Sequence, residues 1–376
     1  MSRVYLDWNA TAPLRPEARA AMIAAMDVVG NPSSVHAEGR ATKGIIEKAR
    51  GQVAALVGCE PSEIVFTSGA TEAASYALNG AFGYCSQAEH DAVLTNCRKS
   101  EALKVNQTGQ IAFDDIPNIP FYDNTSNEFF CAQIANSETG VIHDLADFSV
   151  KCVEASFENV LADAAQACGK IDLKKYLSNL KITPRVPISA HKIGGPKGIG
   201  GLTCVRESFQ PSLKPMIKGG GQEMGRRSGT ENVIGIAGFG AAAEAAQRDL
   251  ENGVWENVEK LRDQLEDRIM AEAPDLIIFG KDAPRLPNTS NFGIPGWKGE
   301  TQVMQLDLAG FAVSAGSACS SGKVKTSRVL KAMGYDDNTA SSAIRVSIGP
   351  TTSEADLMAF ADTWIEHYRR FKAKAA

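Results

Sequence analysis

Short apolar runs that alternate with helix-patterned segments limit what this chain can fold into more than any other feature. Ile64–Phe66, Ala92–Thr95, Phe129–Ala135, Val160–Ala162, Val186–Ile188 and Gly201–Val205 read as strands, with helical segments between several of them. Strands interleaved with helices imply a mostly parallel sheet with helices packed on its faces. Pro16 to Val28 has helical spacing with proline near its first turn, and Gly30-Asn31-Pro32 stops it. Ser33 or Ser34 is placed to cap a second helix running to about Val57, which ends at Gly58. An alanine-rich helix follows Thr71 and Glu72, and Glu231 to about Ala273 reads as long helical material that carries the chain out of a first domain. Beyond it, short strands (276–279, 289–293, 311–313, 343–348) and helices (301–308, 325–333, 353–371) make an α+β pattern for a second, smaller domain. A length of 376 residues fits about two domains.

The strand ends carry the chemistry. Val186–Ile188 stops at Ser189 and delivers His191 and Lys192 into the glycine-rich turn I-G-G-P-K-G-I-G-G. Ligands of open α/β sheets sit just beyond the carboxyl ends of the strands. A lysine desolvated there keeps a free amine able to form a Schiff base with a carbonyl cofactor. By itself Lys192 reads equally well as an exposed turn lysine. Val160–Ala162 ends in Asp163, either an N-cap for the next helix or a carboxylate that holds a proton on a pyridine nitrogen. Ile64–Phe66 runs into T-S-G-A-T-E, a strand–glycine–helix junction whose free N–H groups suit a phosphate. An aldehyde-accepting amine, a ring-nitrogen partner and a phosphate cradle are together what pyridoxal 5′-phosphate requires.

Composition narrows the alternatives. The chain is 44% hydrophobic and 22% charged with a net charge of -5, an ordinary globular balance with no basic excess for nucleic acid. Its eight cysteines include no C-x-x-C pair and no metal-ligand spacing, so they read as reduced thiols and no metal is expected. The start M-S-R-V-Y lacks the apolar core of a signal peptide, and the longest uncharged apolar run, Val233–Ala243, falls far short of the ~20 residues that span a bilayer. The expected location is cytoplasmic, without a membrane.

Nine motifs in one order extend these readings over nearly the whole chain: Y-L-D-W-N-A-T-A-P (5–13), G-N-P-S-S-V-H (30–36), E-I-V-F-T-S-G-A-T-E (63–72), E-H-D-A-V-L (89–94), A-N-S-E-T-G-V (135–141), D-A-A-Q-A-C-G-K (163–170), S-A-H-K-I-G-G-P-K-G-I-G (189–200), G-G-G-Q-E-M-G-R-R-S-G-T-E-N (219–232) and S-A-G-S-A-C-S-S-G (314–322). With them the chain resembles the cysteine desulfurases, the NifS/IscS-like branch of the class V aminotransferases with the pyridoxal-phosphate-dependent transferase fold type I. The resemblance implies a large cofactor-binding domain (15–254) with a mostly parallel seven-stranded sheet. It implies a small α+β domain (1–14 and 255–376) that carries a catalytic cysteine loop.

It also assigns roles by position. Lys192 matches the residue that holds the cofactor and shuttles the Cα proton, and Asp163 the partner of the pyridinium nitrogen. Gln166 matches the group bonded to the ring's phenolic oxygen, and His90 the residue that stacks on the ring and takes the substrate thiol proton. Ala70, Thr71, Ser189 and His191 match the phosphate cradle, and Thr230 a residue reaching the phosphate in the other subunit of a homodimer. Asn31 and Arg345 match the groups that hold the substrate carboxylate, a task suited to a planar two-pronged guanidinium. Cys319, among glycines, serines and an alanine too small for a core, matches the thiolate that takes sulfur from L-cysteine and passes it to an iron–sulfur scaffold or thiolation acceptor. Three positions depart from the pattern. Ser137, in the ring-oxygen region, replaces a usual asparagine, the 96–128 segment is short and irregular, and Pro350 stands for a common arginine. Selenocysteine lyases and transaminases share the scaffold, and a non-catalytic assembly subunit is the reading that Ser137 motivates.

Overall fold

The computed structural model describes residues 3–97, 99–113, 116, 128–155, 157, 159–204, 214–316 and 326–375. At its centre lies a seven-stranded sheet in the order Ile64–Thr67, Gly200–Cys204, Pro184–Ser189, Asn159–Asp163, Glu128–Gln133, Phe82–Ser86, Lys99–Leu103. Gly200–Cys204 runs antiparallel to both neighbours, and the other adjacent pairs are parallel. The mostly parallel α/β sheet expected from the alternation is therefore present. Every residue of Ile64–Thr67, Glu128–Gln133 and Pro184–Ser189 is buried. That is how strands covered by helices on both faces read, as near-continuous apolar runs. Helices Pro16–Met26, Ala37–Val57 and Val233–Glu251 close one face, burying Ile46, Val53, Phe66, Phe130, Val186, Ile188 and Phe239 in one core.

A second cluster forms around an antiparallel four-stranded sheet, Ser314–Ala315, Ile344–Ser347, Thr289–Gly293, Ile277–Ile278. Helices Val254–Met270 and Glu354–Ala375 pack beside it, with Trp255, Phe292, Trp297, Phe360 and Trp364 inside. Trp364 is fully buried and donates its indole N–H to Gln302 Oε1 at 2.9 Å, so its one polar atom is satisfied. The amino-terminal segment joins this cluster. Val4–Tyr5 pairs in parallel with Phe311–Ala312, and Leu6 is buried in the same core.

Local chemistry overturns two readings and adds detail to the rest. Ala92–Thr95 is not a strand: Asp91–Leu94 is a helical turn whose N-cap, His90, accepts the Ala92 N–H at Nδ1 (3.1 Å). A four-residue apolar run does not separate strand from helix, and the cap decides it. The cap of Ala37–Val57 is His36, which accepts from Gly39 N–H, not Ser33 or Ser34. The helical material expected over 231–273 is present as two helices, Val233–Glu251 and Val254–Met270, parted at Asn252-Gly253 with Gly253 at φ 67°. Phe82–Ser86 and Lys99–Leu103, unmarked by apolar alternation, are sheet strands.

Candidate active site

The carboxyl ends of the sheet strands open on a cavity of about 640 Å³. Ten of the thirteen residues singled out in the sequence line it: Ala70, Thr71, His90, Ser137, Asp163, Gln166, Ser189, His191, Lys192 and Arg345. Asn31 does not; it is exposed, and its Oδ1 accepts the Ser33 N–H (2.9 Å) in the turn before Ala37–Val57. Thr230 is exposed and also off the cavity. Cys319 lies outside the described residues.

Lys192 ends the tight turn Ala190–Lys192 directly after the strand Pro184–Ser189. The chain then reverses at Gly194, where φ is 82° and a Cβ would sit 2.6 Å from Arg15 Cγ, so only glycine fits. The Lys192 ammonium donates to the carbonyls of Asn9 (2.5 Å) and Ala10 (3.0 Å). Asp163 ends the neighbouring strand, 8% exposed, and its Oδ1 accepts the Ala165 N–H (2.8 Å). Burial pushes this carboxyl's pKa up, against the pull of that N–H and of the His90 and Lys192 charges.

Asn9 ties the site together, and sequence reasoning gave it no role. It is 1% exposed; its carbonyl accepts from Lys192 and from Gln166 Nε2 (2.9 Å), and its Oδ1 accepts from Lys170 Nζ (2.9 Å) and Asn288 Nδ2 (3.0 Å). Lys170 Nζ also donates to Gln166 Oε1 (2.9 Å), fixing which amide atom points where. Burial, then the Lys192 and Arg345 charges, hold the Lys170 ammonium far below the usual lysine range. The one available signal was Asn9 in a motif, D-W-N-A-T, without helix or strand periodicity.

The opposite end is electropositive. Helix Ala70–Ala77 begins at Gly69 with no side-chain cap, leaving its first N–H groups toward the cavity. Gly200 packs against Gly69 so closely that a Cβ would lie 2.6 Å from the Gly69 Cα. Ser189, His191 and Lys197 border the same cavity. His191 Nδ1 is 3.1 Å from Thr11 Oγ1; burial and the Lys192 and Lys197 charges lower its pKa to about 4, so it is a neutral imidazole near pH 7. Arg345, from Ile344–Ser347, is 2% exposed, pairs with Asp7 Oδ1 (2.7 Å) and donates to the Ser137 carbonyl (2.9 Å). Its buried Nε has no hydrogen-bond partner among the described residues. The donor set fits pyridoxal phosphate plus an amino-acid carboxylate: a lysine amine, a buried carboxylate, an uncapped helix end and a guanidinium.

A match to the aminotransferase class-V family spans residues 4–360. The cysteine desulfurase of Trichormus azollae is 38% identical over 99% of this chain and 94% of its own, and the human cysteine desulfurase is 35% identical over 98% and 82%. The solved NifS-like protein from Rickettsia africae superposes with a TM-score of 0.87 at 31% identity, covering 98% of this chain and 99% of that one. The chain belongs to the cysteine desulfurases of the class V aminotransferase family. The fold type I architecture expected from the motifs accordingly holds.

In this cysteine desulfurase family member, the A-N-S-E-T-G-V motif also places a buried acid. Glu138 is 9% exposed, and its Oε2 accepts from the Ser327 hydroxyl. Burial, with Asp91 adding to it, raises its pKa to about 7 against the opposing pull of Ser327, Arg345 and Arg328. A folded-state pKa above the unfolded 4.5 means the native state keeps a proton that the unfolded chain has released. The stabilisation from this carboxyl is complete below pH 4.5 and is lost as pH rises toward 7, by about 3 kcal/mol in all. Urea unfolding of Glu138→Gln between pH 4.5 and 7 is expected to show a shallower decline than the parent; equal slopes would refute the assignment.

Proposed function

We propose that the protein is a pyridoxal-phosphate-dependent cysteine desulfurase that converts L-cysteine to L-alanine and leaves a persulfide on Cys319. The observation that carries this is the convergence of Lys192, Asp163, the uncapped helix end and Arg345 on one cavity. Bound there, the cofactor supplies an electron-poor ring able to stabilise charge at the substrate Cα. Lys192 would hold the cofactor covalently through Nζ and, once released, move the Cα proton. Asp163 would keep the ring nitrogen protonated, and Gln166, which lines the same cavity as Ser137, would donate to the ring oxygen. Ala70, Thr71, Ser189 and His191 would cradle the phosphate. Arg345 would take the substrate carboxylate through its terminal N–H groups, beside its pair with Asp7. His90 would cover the ring and accept the substrate thiol proton. The Cys319 thiolate, the nucleophilic form, would then attack the substrate sulfur. The S–S bond would form as the substrate Cβ–S bond breaks, and the electron pair left on carbon would take up a proton to give alanine.

The same reading makes the enzyme a homodimer. Thr230, exposed and off its own cavity, would reach the phosphate end of the partner's site. The persulfide would pass to an iron–sulfur scaffold or a thiolation acceptor. No helix among the described residues is long and apolar enough to cross a membrane. The unbridged thiols of Cys85, Cys97, Cys131, Cys152 and Cys168 suit a reducing compartment, and we place the enzyme in the cytoplasm.

Incubating the holoenzyme with L-cysteine is expected to yield alanine and a persulfide on Cys319 in equal amounts; absence of both with cofactor bound ends the proposal. Asp163→Asn should lower turnover about 10²-fold or more, the scale of losing one preorganised electrostatic group at the reacting centre. Because burial already disfavours the Asp163 charge, the amide should not lower the melting temperature. Retained turnover would remove Asp163 from the chemistry.

A further inference from the structure

A group of three sulfurs lies outside the cavity described above. Cys85 and Cys131 sit on the adjacent parallel strands Phe82–Ser86 and Glu128–Gln133. These pair through Gly83↔Phe129 and Tyr84↔Phe130, so the two cysteines follow side by side on one face of the sheet. Cys97 lies over that face, after the helical turn Asp91–Leu94 capped by His90, with its backbone N–H bonded to the Val93 carbonyl (3.1 Å). Its Sγ is 3.6 Å from Cys131 Sγ. Gly83 makes the approach possible: a Cβ there would lie 2.7 Å from Cys97 Sγ. Cys85 and Cys131 are completely buried and Cys97 is only partly so, which makes Cys97 the one of the three nearest to solvent, with a second sulfur behind it.

We infer that Cys97 and Cys131 form a reversible disulfide site that reacts with hydroperoxides and ties the His90-bearing turn to the sheet. An S–S bond is about 2.05 Å long, so the two sulfurs close the gap by roughly 1.5 Å, within reach of a rotamer adjustment at the partly exposed Cys97. The order of events follows from which thiol ionises. Cys97 is the partly exposed thiol of the pair, and hydrogen bonds from Cys131 and Cys85 lower its pKa, while burial, then Cys97 itself, pushes Cys131 up. The Cys97 thiolate therefore attacks the peroxide first. Its O–O bond breaks, the Cys97 sulfur gains one oxygen as a sulfenic acid, and the alcohol or water leaves with a proton. The Cys131 thiol then displaces the sulfenic oxygen as water and the S–S bond forms. Two electrons pass from the two sulfurs to one peroxide, and two thiols in a reductant such as dithiothreitol return them.

The test maps sulfur pairing in the full chain and is independent of turnover, so its failure leaves the desulfurase reading untouched. The holoenzyme is treated with hydrogen peroxide in slight excess, denatured, alkylated, digested without reductant and weighed. The expected product is a peptide pair linked through Cys97 and Cys131, lighter by two hydrogens and separated by dithiothreitol. Cys97→Ser, a change at a partly exposed position, should abolish the link and leave Cys131 fully alkylated after the same treatment. In the untreated native protein, iodoacetamide should modify Cys97 and spare Cys131. Both cysteines recovered as thiols after peroxide, Cys97 recovered only as sulfinic acid with Cys131 unpaired, or Cys97 joined to Cys85 would each overturn the proposal.

Discussion

Lys192→Ala is expected to lower conversion of L-cysteine to alanine by about 10³-fold or more, since in the proposed mechanism one side chain supplies both the amine and the proton shuttle. The structure gives this amine a defined place. It hangs from a tight turn at a strand end, held by the Asn9 and Ala10 carbonyls, two acceptors that fix its direction without neutralising its charge. Asn9 is in turn held by Lys170, Asn288 and the Ser347 hydroxyl, so the acceptor does not drift when the lysine leaves. Folding should therefore survive truncation, with an unchanged far-ultraviolet spectrum and melting temperature within a few degrees. Lys192→Arg is expected to fail as completely, because a guanidinium stays protonated and offers no amine. Alanine release measured at saturating cofactor decides it. A Lys192→Ala enzyme within tenfold of the parent would mean that another group does the chemistry.

What the sequence revealed of this site follows a physical pattern. Lys192, Asp163 and the Gly69–Thr71 turn were legible because each stands where an apolar run stops, and strand ends are where ligands of such sheets sit. Glycines told the same story wherever backbones nearly touch, as at Gly194 and at Gly200 against Gly69. Asn9 and Lys170 were not legible. Their importance lies in long-range hydrogen bonds between the amino-terminal segment, residues 166–170 and the Asn288–Thr289 region, which no local pattern encodes. Ala92–Thr95 misled because a capping imidazole outweighed the strand propensity of a four-residue run. Phe82–Ser86 stayed hidden because Gly83 and Ser86 look like turn residues, while Gly83 is there to admit the Cys97 sulfur. The same position thus obscured a strand and marked the thiol cluster.

Cys319→Ser is expected to abolish the persulfide and reduce alanine formation about 10³-fold or more, since a serine hydroxyl is weakly nucleophilic near neutral pH where a cysteine is partly thiolate. The described chain on either side of this residue starts and ends beside the cavity. Ser314 pairs directly with Arg345, and Gly316 donates its N–H to the Ala343 carbonyl (3.2 Å). On the far side Ser327 is bonded to Glu138, the neighbour of cavity-lining Ser137. Cys319 follows Gly316 by three positions, an extended reach of about 10 Å. Cofactor absorbance and the affinity for L-cysteine should survive in Cys319→Ser, because neither Lys192 nor Arg345 is altered. A transaminase on this scaffold would keep its turnover after the same change. Undiminished alanine from Cys319→Ser would therefore assign the cavity to amino-group chemistry and leave the cysteine without a catalytic part.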